Sequence, residues 1–305
     1  MLKTGKKKNW RRSLFILAFL LPGMFLFFAI YAYPLVNIFG SSFCEWNYKN
    51  LLHPEFLGWN HIFDNFIRLF TKDTHFKTAL INSLKWIGLT AVIQVPFSIL
   101  VALVLSKKRK GWALTRNVFL IPNIISTAAI GLIFLNLYDP ANGLITDLVH
   151  LVNPDLPLNI LAKPGTAFWG VTFSYILFGG TNCLLLMSQI SAIPQELYEA
   201  ARIDGASDFQ ADRRITLPLL RPMIGTVLVL ACNYGLLLYN ELFLLTKGGP
   251  DGATYSLSLY VYQTSMGSTK LNFALGNAAG VIQVIIGLVL VISINKLLRT
   301  NESDL

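Results

Sequence analysis

The sequence predicts an all-α polytopic membrane protein with six transmembrane helices, and three observations carry that expectation. Composition is the first: 54% of the 305 residues are hydrophobic and only 13% are charged, about half the charged share of an ordinary soluble domain. The second is the recurrence of apolar runs close to the roughly 20 residues that cross about 30 Å of hydrocarbon as a helix. The third is where the basic residues sit. The net charge is +9, yet lysine and arginine gather beside alternate apolar runs, as the positive-inside rule expects, and form no patch suited to nucleic acid.

Taken in order, residues 1–13 are a basic N-terminus and 14–36 the first span. A basic start before an apolar run resembles a secretory signal. This run is longer than such a signal needs and lacks a small-x-small cleavage site, so it reads as a retained span. An extracytoplasmic segment at 37–85 precedes a core at 86–298, with spans expected at 86–105, 118–137, 167–190, 223–245 and 276–294. Pro22, Pro96, Pro122, Gly179 and Gly180 fall inside spans, where neighbouring helices can satisfy the freed backbone groups. A loop at 191–222 and a tail at 299–305 complete the chain.

Orientation follows from the basic residues. Lys3, Lys6, Lys7, Lys8, Arg11 and Arg12 precede the first span, and Lys107, Lys108, Arg109, Lys110 and Arg116 separate the second and third. With Arg202, Arg213, Arg214, Arg221, Lys296 and Arg299, these alternate segments hold 17 of the 25 basic residues. Both termini and the 191–222 loop are therefore expected in the cytoplasm of a multi-pass plasma or inner membrane protein. The opposite segments carry interfacial aromatics and turn formers: Trp46, Trp59, Phe66, Phe70, Pro140, Pro154, Pro157 and "TKGGPDG".

Nothing in the chain suggests catalysis. It has no G-x-x-x-x-G-K-[ST] phosphate loop and no G-x-S-x-G elbow. His53, His61, His75 and His150 are scattered, and Cys44, Cys183 and Cys232 lack metal-ligand spacing. No cofactor or metal is expected in this chain.

The loop is the distinctive part. "ELYEAARIDGASDFQADRRITLP" carries five acids against three bases between Glu196 and Arg214. Pro194 suits the first turn of a helix, and Glu196 and Glu199 suit its positive end. Leu197, Ala201 and Gly205 share a face of shrinking size, and Gly205 suits a helix stop. A second short helix is expected from about Ser207 to Arg214, before Pro218 and Pro222. The residues alone leave two readings open, a compact helical knob or a solvated loop.

"EAARIDGA…ITLP" resembles the EAA motif of the membrane subunits of bacterial binding-protein-dependent ABC importers. It matches at Glu199, Ala200, Ala201, Asp204, Gly205, Ala206, Ile215, Leu217, Pro218 and Pro222. "FLLPGMFLFFAIYAYPLVNIFGSSF", "DPANGLITDLV" and "LTKGGPDGAT" are similar to segments of sugar permeases of the MalF-like class, so the resemblance covers nearly the whole chain. It implies the type I ABC importer permease fold, with the motif as a coupling helix docked on a separate ATPase. The implied partners are a homologous second permease, two ATPase subunits that hold ATP and Mg, and an extracytoplasmic sugar-binding protein. Where the family often has phenylalanine ahead of "I-x-LP", this chain has Asp212, which cannot pack the second motif helix as an aromatic would.

For the substrate pathway the candidates are Ser174, Tyr175, Thr181 and Asn182 in the fourth span and Asn233, Tyr234, Tyr239 and Asn240 in the fifth. Polar groups in lipid are costly and face a bundle interior or cavity. Amides and hydroxyls suit a sugar's hydroxyls, although hydrogen bonding between helices is the other use for them. Glu241 reads as interfacial, near the outer end of the fifth span. The alternatives are a stand-alone secondary transporter or channel, a membrane scaffold, and an importer of a non-sugar solute such as a glycerol phosphate derivative. A shortage of mid-span charges and of an inverted repeat weighs against the first.

Overall fold

A computed structural model describes residues 10–108, 110–153, 159–267 and 270–298. The expectations for residues 1–9, Arg109, Pro154, Pro157 and 299–305, and for the side chains of Arg11 and Arg12, lie outside the described residues.

The apolar N-terminal run forms one helix, α1 (Trp10–Ser41), none of whose most apolar stretch is buried within the chain. A two-stranded antiparallel hairpin follows, β1 (Cys44–Glu45) and β2 (Glu55–Phe56), an exception to the all-α expectation. A short amphipathic helix, α2 (Asp64–Thr71), leads into α3 (Thr74–Ser106), which starts well before the expected residue 86 because Asp73 caps it, accepting from Phe76 N at 2.8 Å.

The expected third span is not one rod. It is a pair, α4 (Trp112–Ile124) and α5 (Thr127–Leu137), bent by 101°. Pro122 weakens the end of α4, Ile125 is extended, and the Ser126 side chain restarts the backbone by accepting from Ala129 N at 3.3 Å. The expected fourth span is likewise divided. After α6 (Leu144–His150) come α7 (Pro164–Phe173) and α8 (Gly180–Ser191), separated by the irregular 174–179. Two short helices, α9 (Gln195–Ile203) and α10 (208–219), fill the loop. The fifth span is α11 (Arg221–Leu236) with α12 (Asn240–Leu245) beyond a break, and α13 (Leu257–Ser265) precedes the last long helix, α14 (Phe273–Leu298). Among the described residues, four helices are long and apolar enough to cross a membrane, or five if the bent pair counts as one. Helix length and apolarity thus mark four or five of the six expected spans; the break inside the fourth leaves pieces of 10 and 12 residues, each too short to count.

Three wide π turns interrupt these helices, at Phe28–Ala32, Thr90–Gln94 and Asp212–Thr216. Each holds the residue four positions before a proline: Ile30 before Pro34, Val92 before Pro96 and Arg214 before Pro218. A proline ring collides with that carbonyl and offers no N–H to it, and widening the turn relieves both conflicts without ending the helix.

Burial is concentrated where α3, α11 and α14 meet. Phe76, Ala79, Leu236, Leu257, Ala278 and Ala279 form one cluster. A second gathers α7 and α12 around Trp86, which stacks on Phe168 at 4.9 Å between centroids and donates to Thr172 Oγ1 at 2.9 Å. The third joins α3, α8 and α11 through Ala102, Leu105, Leu186 and Val227. Cys183 and Cys232 are buried thiols inside these clusters, and Cys44 lies on β1.

Candidate functional sites: the helical loop and the cavity

In the loop, Pro194 has extended backbone (φ −56°, ψ 130°) and stands just before α9 rather than within its first turn. The helix ends in a Schellman pair: Ala206 N donates to Ala201 O at 2.9 Å and Gly205 N to Arg202 O at 3.0 Å. Gly205 sits at φ +79°, and a Cβ there would meet nothing within 4 Å. Its requirement is a backbone conformation that L residues rarely adopt, not a lack of space. Ser207 then opens α10 with a capping box, Ser207 Oγ accepting from Gln210 N and Gln210 Oε1 from Ser207 N at 2.8 Å. The second helix runs past Arg214 to Leu219 through Pro218.

Glu199, Ala200, Asp204, Gly205 and Pro218 are exposed, and Ala201, Ala206, Ile215 and Leu217 are half-buried. Two residues absent from the motif reading stand out: Ile203 is 87% exposed and Phe209 73%. Each is an apolar residue between charged or polar neighbours on a short helix, a signal the sequence does hold. The two helices are tied by Tyr198 Oη and Thr216 Oγ1, 2.9 Å apart. Asp212 does not pack as an aromatic would. Its carboxylate meets Lys107 Nζ at 2.6 Å, joining the loop to the end of α3.

A cavity of about 340 Å³ lies where the helix breaks converge. Gln94 reaches it from α3, and Pro122, Asn123, Ile125 and Thr127 from the α4–α5 bend. The α7–α8 break supplies Ser174, Tyr175 and Gly179, and α8 supplies Thr181 and Asn182. The pair Gly179–Gly180 allows this convergence: a Cβ on Gly180 would come within 2.1 Å of Asn123 Nδ2, and one on Gly179 within 2.2 Å of Ser98 Oγ. Asn123 Oδ1 in turn accepts from Thr181 N at 3.4 Å, supporting the start of α8.

Tyr234 lines the cavity from α11, beside Tyr175 at 5.7 Å between centroids. Ser174 spends its hydroxyl on Val171 O at 2.7 Å. The other expected pathway residues lie elsewhere. Asn233 donates to Val229 O at 3.1 Å within its own helix, and Tyr239 stacks on Phe243 at 5.5 Å. Neither they nor Asn240 line this cavity. Glu241, expected at the interface, is instead 5% exposed, lines the cavity and accepts from the Tyr234 hydroxyl. Its partner Tyr234 lies seven residues back, across the irregular 237–239, a contact that no linear reading of the span reveals.

Long apolar helices, a cavity built from their broken ends and a protruding helical loop are the features of a membrane transport component. Residues 94–301 match the family described as the binding-protein-dependent transport system inner membrane component, and the chain belongs to that family. It is 32% identical over 292 residues to the probable ABC transporter permease protein YurN of Bacillus subtilis, covering 94% of this chain and 96% of that one. It is 36% identical over 162 residues to the trehalose/maltose transport system permease protein MalF of Thermococcus litoralis, covering 53% and 55%. A chain in the crystal structure of a bacterial ABC transporter involved in the import of the acidic polysaccharide alginate shares the fold. Its TM-score is 0.80 at 24% identity, covering 96% of this chain and 97% of that chain.

Proposed function

We propose that this chain is one permease subunit of an ATP-driven importer of sugars or oligosaccharides, working beside a homologous permease, two ATPase subunits and an extracytoplasmic binding protein. Both termini and the 191–222 loop face the cytoplasm, and ATP and Mg belong to the ATPase partners. The chain itself carries no chemistry. Its role is to hold a pathway that opens to one side or the other as the partners bias it.

The observation that carries this reading is the loop. The end of α9, closed by Gly205, and the start of α10 hold Ile203 and Phe209 in solvent, apolar groups that a surface normally covers. Glu199, Ala200 and Asp204 are likewise exposed on and just after α9. Tyr198, Thr216, Asp212 and Lys107 form the path by which a push on α9 reaches α3. The saccharide class is supported by the trehalose/maltose transport for which the Thermococcus relative is named and by the amides, hydroxyls and rings around the cavity.

The test is co-purification of the chain with its ATPase, and sugar-stimulated ATP hydrolysis in proteoliposomes. Ile203→Asp and Phe209→Asp should each abolish co-purification while the protein still inserts. Full association of both variants would remove the loop as the docking element.

A further inference from the structure

The cavity has one acidic side chain on its wall and, among the described residues that line it, no lysine, arginine or histidine. That acid is Glu241, buried and held by the Tyr234 hydroxyl, which fixes the carboxylate against α11. Beside it Tyr175 is 3% exposed and its hydroxyl has no hydrogen-bond partner, so a donor waits within the same pocket. The remaining polar wall groups are uncharged, the amides of Gln94, Asn123 and Asn182 and the hydroxyls of Thr127, Ser174 and Thr181.

We infer that Glu241 is the specificity-determining residue of this cavity: it turns away anionic solutes and admits uncharged or positively charged polyhydroxy ones. The inference rests on reading the cavity as part of a saccharide pathway. A neutral sugar can donate a hydroxyl to the carboxylate and accept from Tyr175, while amides serve either role. A phosphate or uronate would meet the carboxylate without a cation to offset it, in a space lined largely by low-dielectric side chains. Walls of one charge sign change local ion concentrations by roughly 10- to 1,000-fold. The same wall weighs against a glycerol phosphate derivative as cargo. It also separates this chain from the chemistry named for the alginate importer, whose likeness is one of fold.

The experiment reads charge selectivity directly, without needing the natural substrate. In the full chain purified with its partners, Cys44→Ser, Cys183→Ala and Cys232→Ala remove the native thiols, and Leu230→Cys provides a reporter. Leu230 is 45% exposed, lines the cavity and lies one helical turn before Tyr234. Its modification rate is measured with a trimethylammonium-bearing and a sulfonate-bearing methanethiosulfonate, each divided by its rate with a free thiol in solution.

The cationic reagent should be favoured roughly tenfold. Glu241→Gln should bring the ratio close to one, and Tyr234→Phe, which keeps the carboxylate, should retain the preference. Glu241→Ala combined with Tyr234→Phe also removes the hydroxyl that would lose its acceptor, and serves as a second neutral variant should Glu241→Gln not be recovered folded. A ratio near one in the parent, or an unchanged ratio in a folded neutral variant, overturns the inference. Neither readout depends on sugar uptake, so an absence of sugar transport would sink the functional reading and leave this result to stand or fall alone.

Discussion

Lys107 and Asp212 stand 2.6 Å apart, one at the end of α3 and the other inside the helical loop, 105 positions later. The two side chains are 27% and 17% exposed, so the pair is partly withdrawn from water and less screened than a surface bridge. Exposed pairs are worth at most about 1 kcal/mol, and this one should reach that figure. Lys107→Ala and Asp212→Ala should each lower the ATPase stimulation of the assembled transporter, with the double variant no worse than either single one. Strictly additive losses would show that the two groups do not act together.

Gly205 offers a second test, with a reason that differs from simple crowding. At φ +79° any side chain is strained, although the space around it is open. Forcing an L residue into the left-handed region costs about 1–2 kcal/mol, and asparagine bears this better than most. Gly205→Val should loosen the end of α9 and weaken ATPase co-purification, and Gly205→Asn should retain most of it. Equal behaviour of the two variants would remove the backbone explanation.

At Gly180 crowding is the issue. A Cβ within 2.1 Å of Asn123 Nδ2 displaces that amide from its place against α8, and overpacking costs about 1–3 kcal/mol. Gly180→Ala should lower the unfolding temperature of the purified chain, with Asn123→Ala in the same chain restoring part of the loss. No recovery in the double variant would place the damage elsewhere.

Asp139 allows a test by pH. Its carboxylate accepts from Asn142 N and Ala141 N, each at 2.8 Å, which holds it below the ordinary carboxylate range. The pKa of the folded state lies below that of the unfolded state. The group's stabilisation is therefore complete above the unfolded value and lost as pH falls through the folded one. Asp139→Ala should lower the unfolding temperature at neutral pH, and the gap to the parent should narrow on acidification. A gap independent of pH would rule out the charged hydrogen bonds as its source.

For the orientation, single cysteines at Asn142 and Leu52 should react with an impermeant reagent in intact cells, and one at Gly111 should not. Leu52 is chosen because it is 82% exposed. Gly252 is a poor reporter, since a Cβ there meets His75 Nδ1 at 2.5 Å. The reverse labelling pattern would invert the topology.

Hydropathy located the long helices because length and apolarity are properties of a segment. It passed over the break at Ile125–Ser126, which lies inside a run apolar on average and is marked only by Pro122 and the Ser126 cap. Glu241 shows a different gap. Its place near the end of an apolar run suggested an interface, but its burial depends on Tyr234 across a helix break and on elements far away in sequence. Asp212 was legible only as a departure from a motif. Its actual partner, Lys107, belongs to another part of the chain. Local features such as the Gly205 stop and the Ser207 cap were readable because their partners lie within a few residues.

The length of α1 has its own consequence. At 1.5 Å per residue its 32 residues extend to roughly 48 Å, some 18 Å beyond the hydrocarbon thickness. The final stretch Tyr33–Ser41, nine residues long, takes up about three-quarters of that excess. That stretch is where α1 touches the rest of the chain, with Ser41 Oγ accepting from Asn277 Nδ2 at 2.7 Å. The helix thus divides into a lipid-solvated shaft and a fastened collar. Shortening the shaft should alter its tilt in bilayers of different thickness without disturbing the collar.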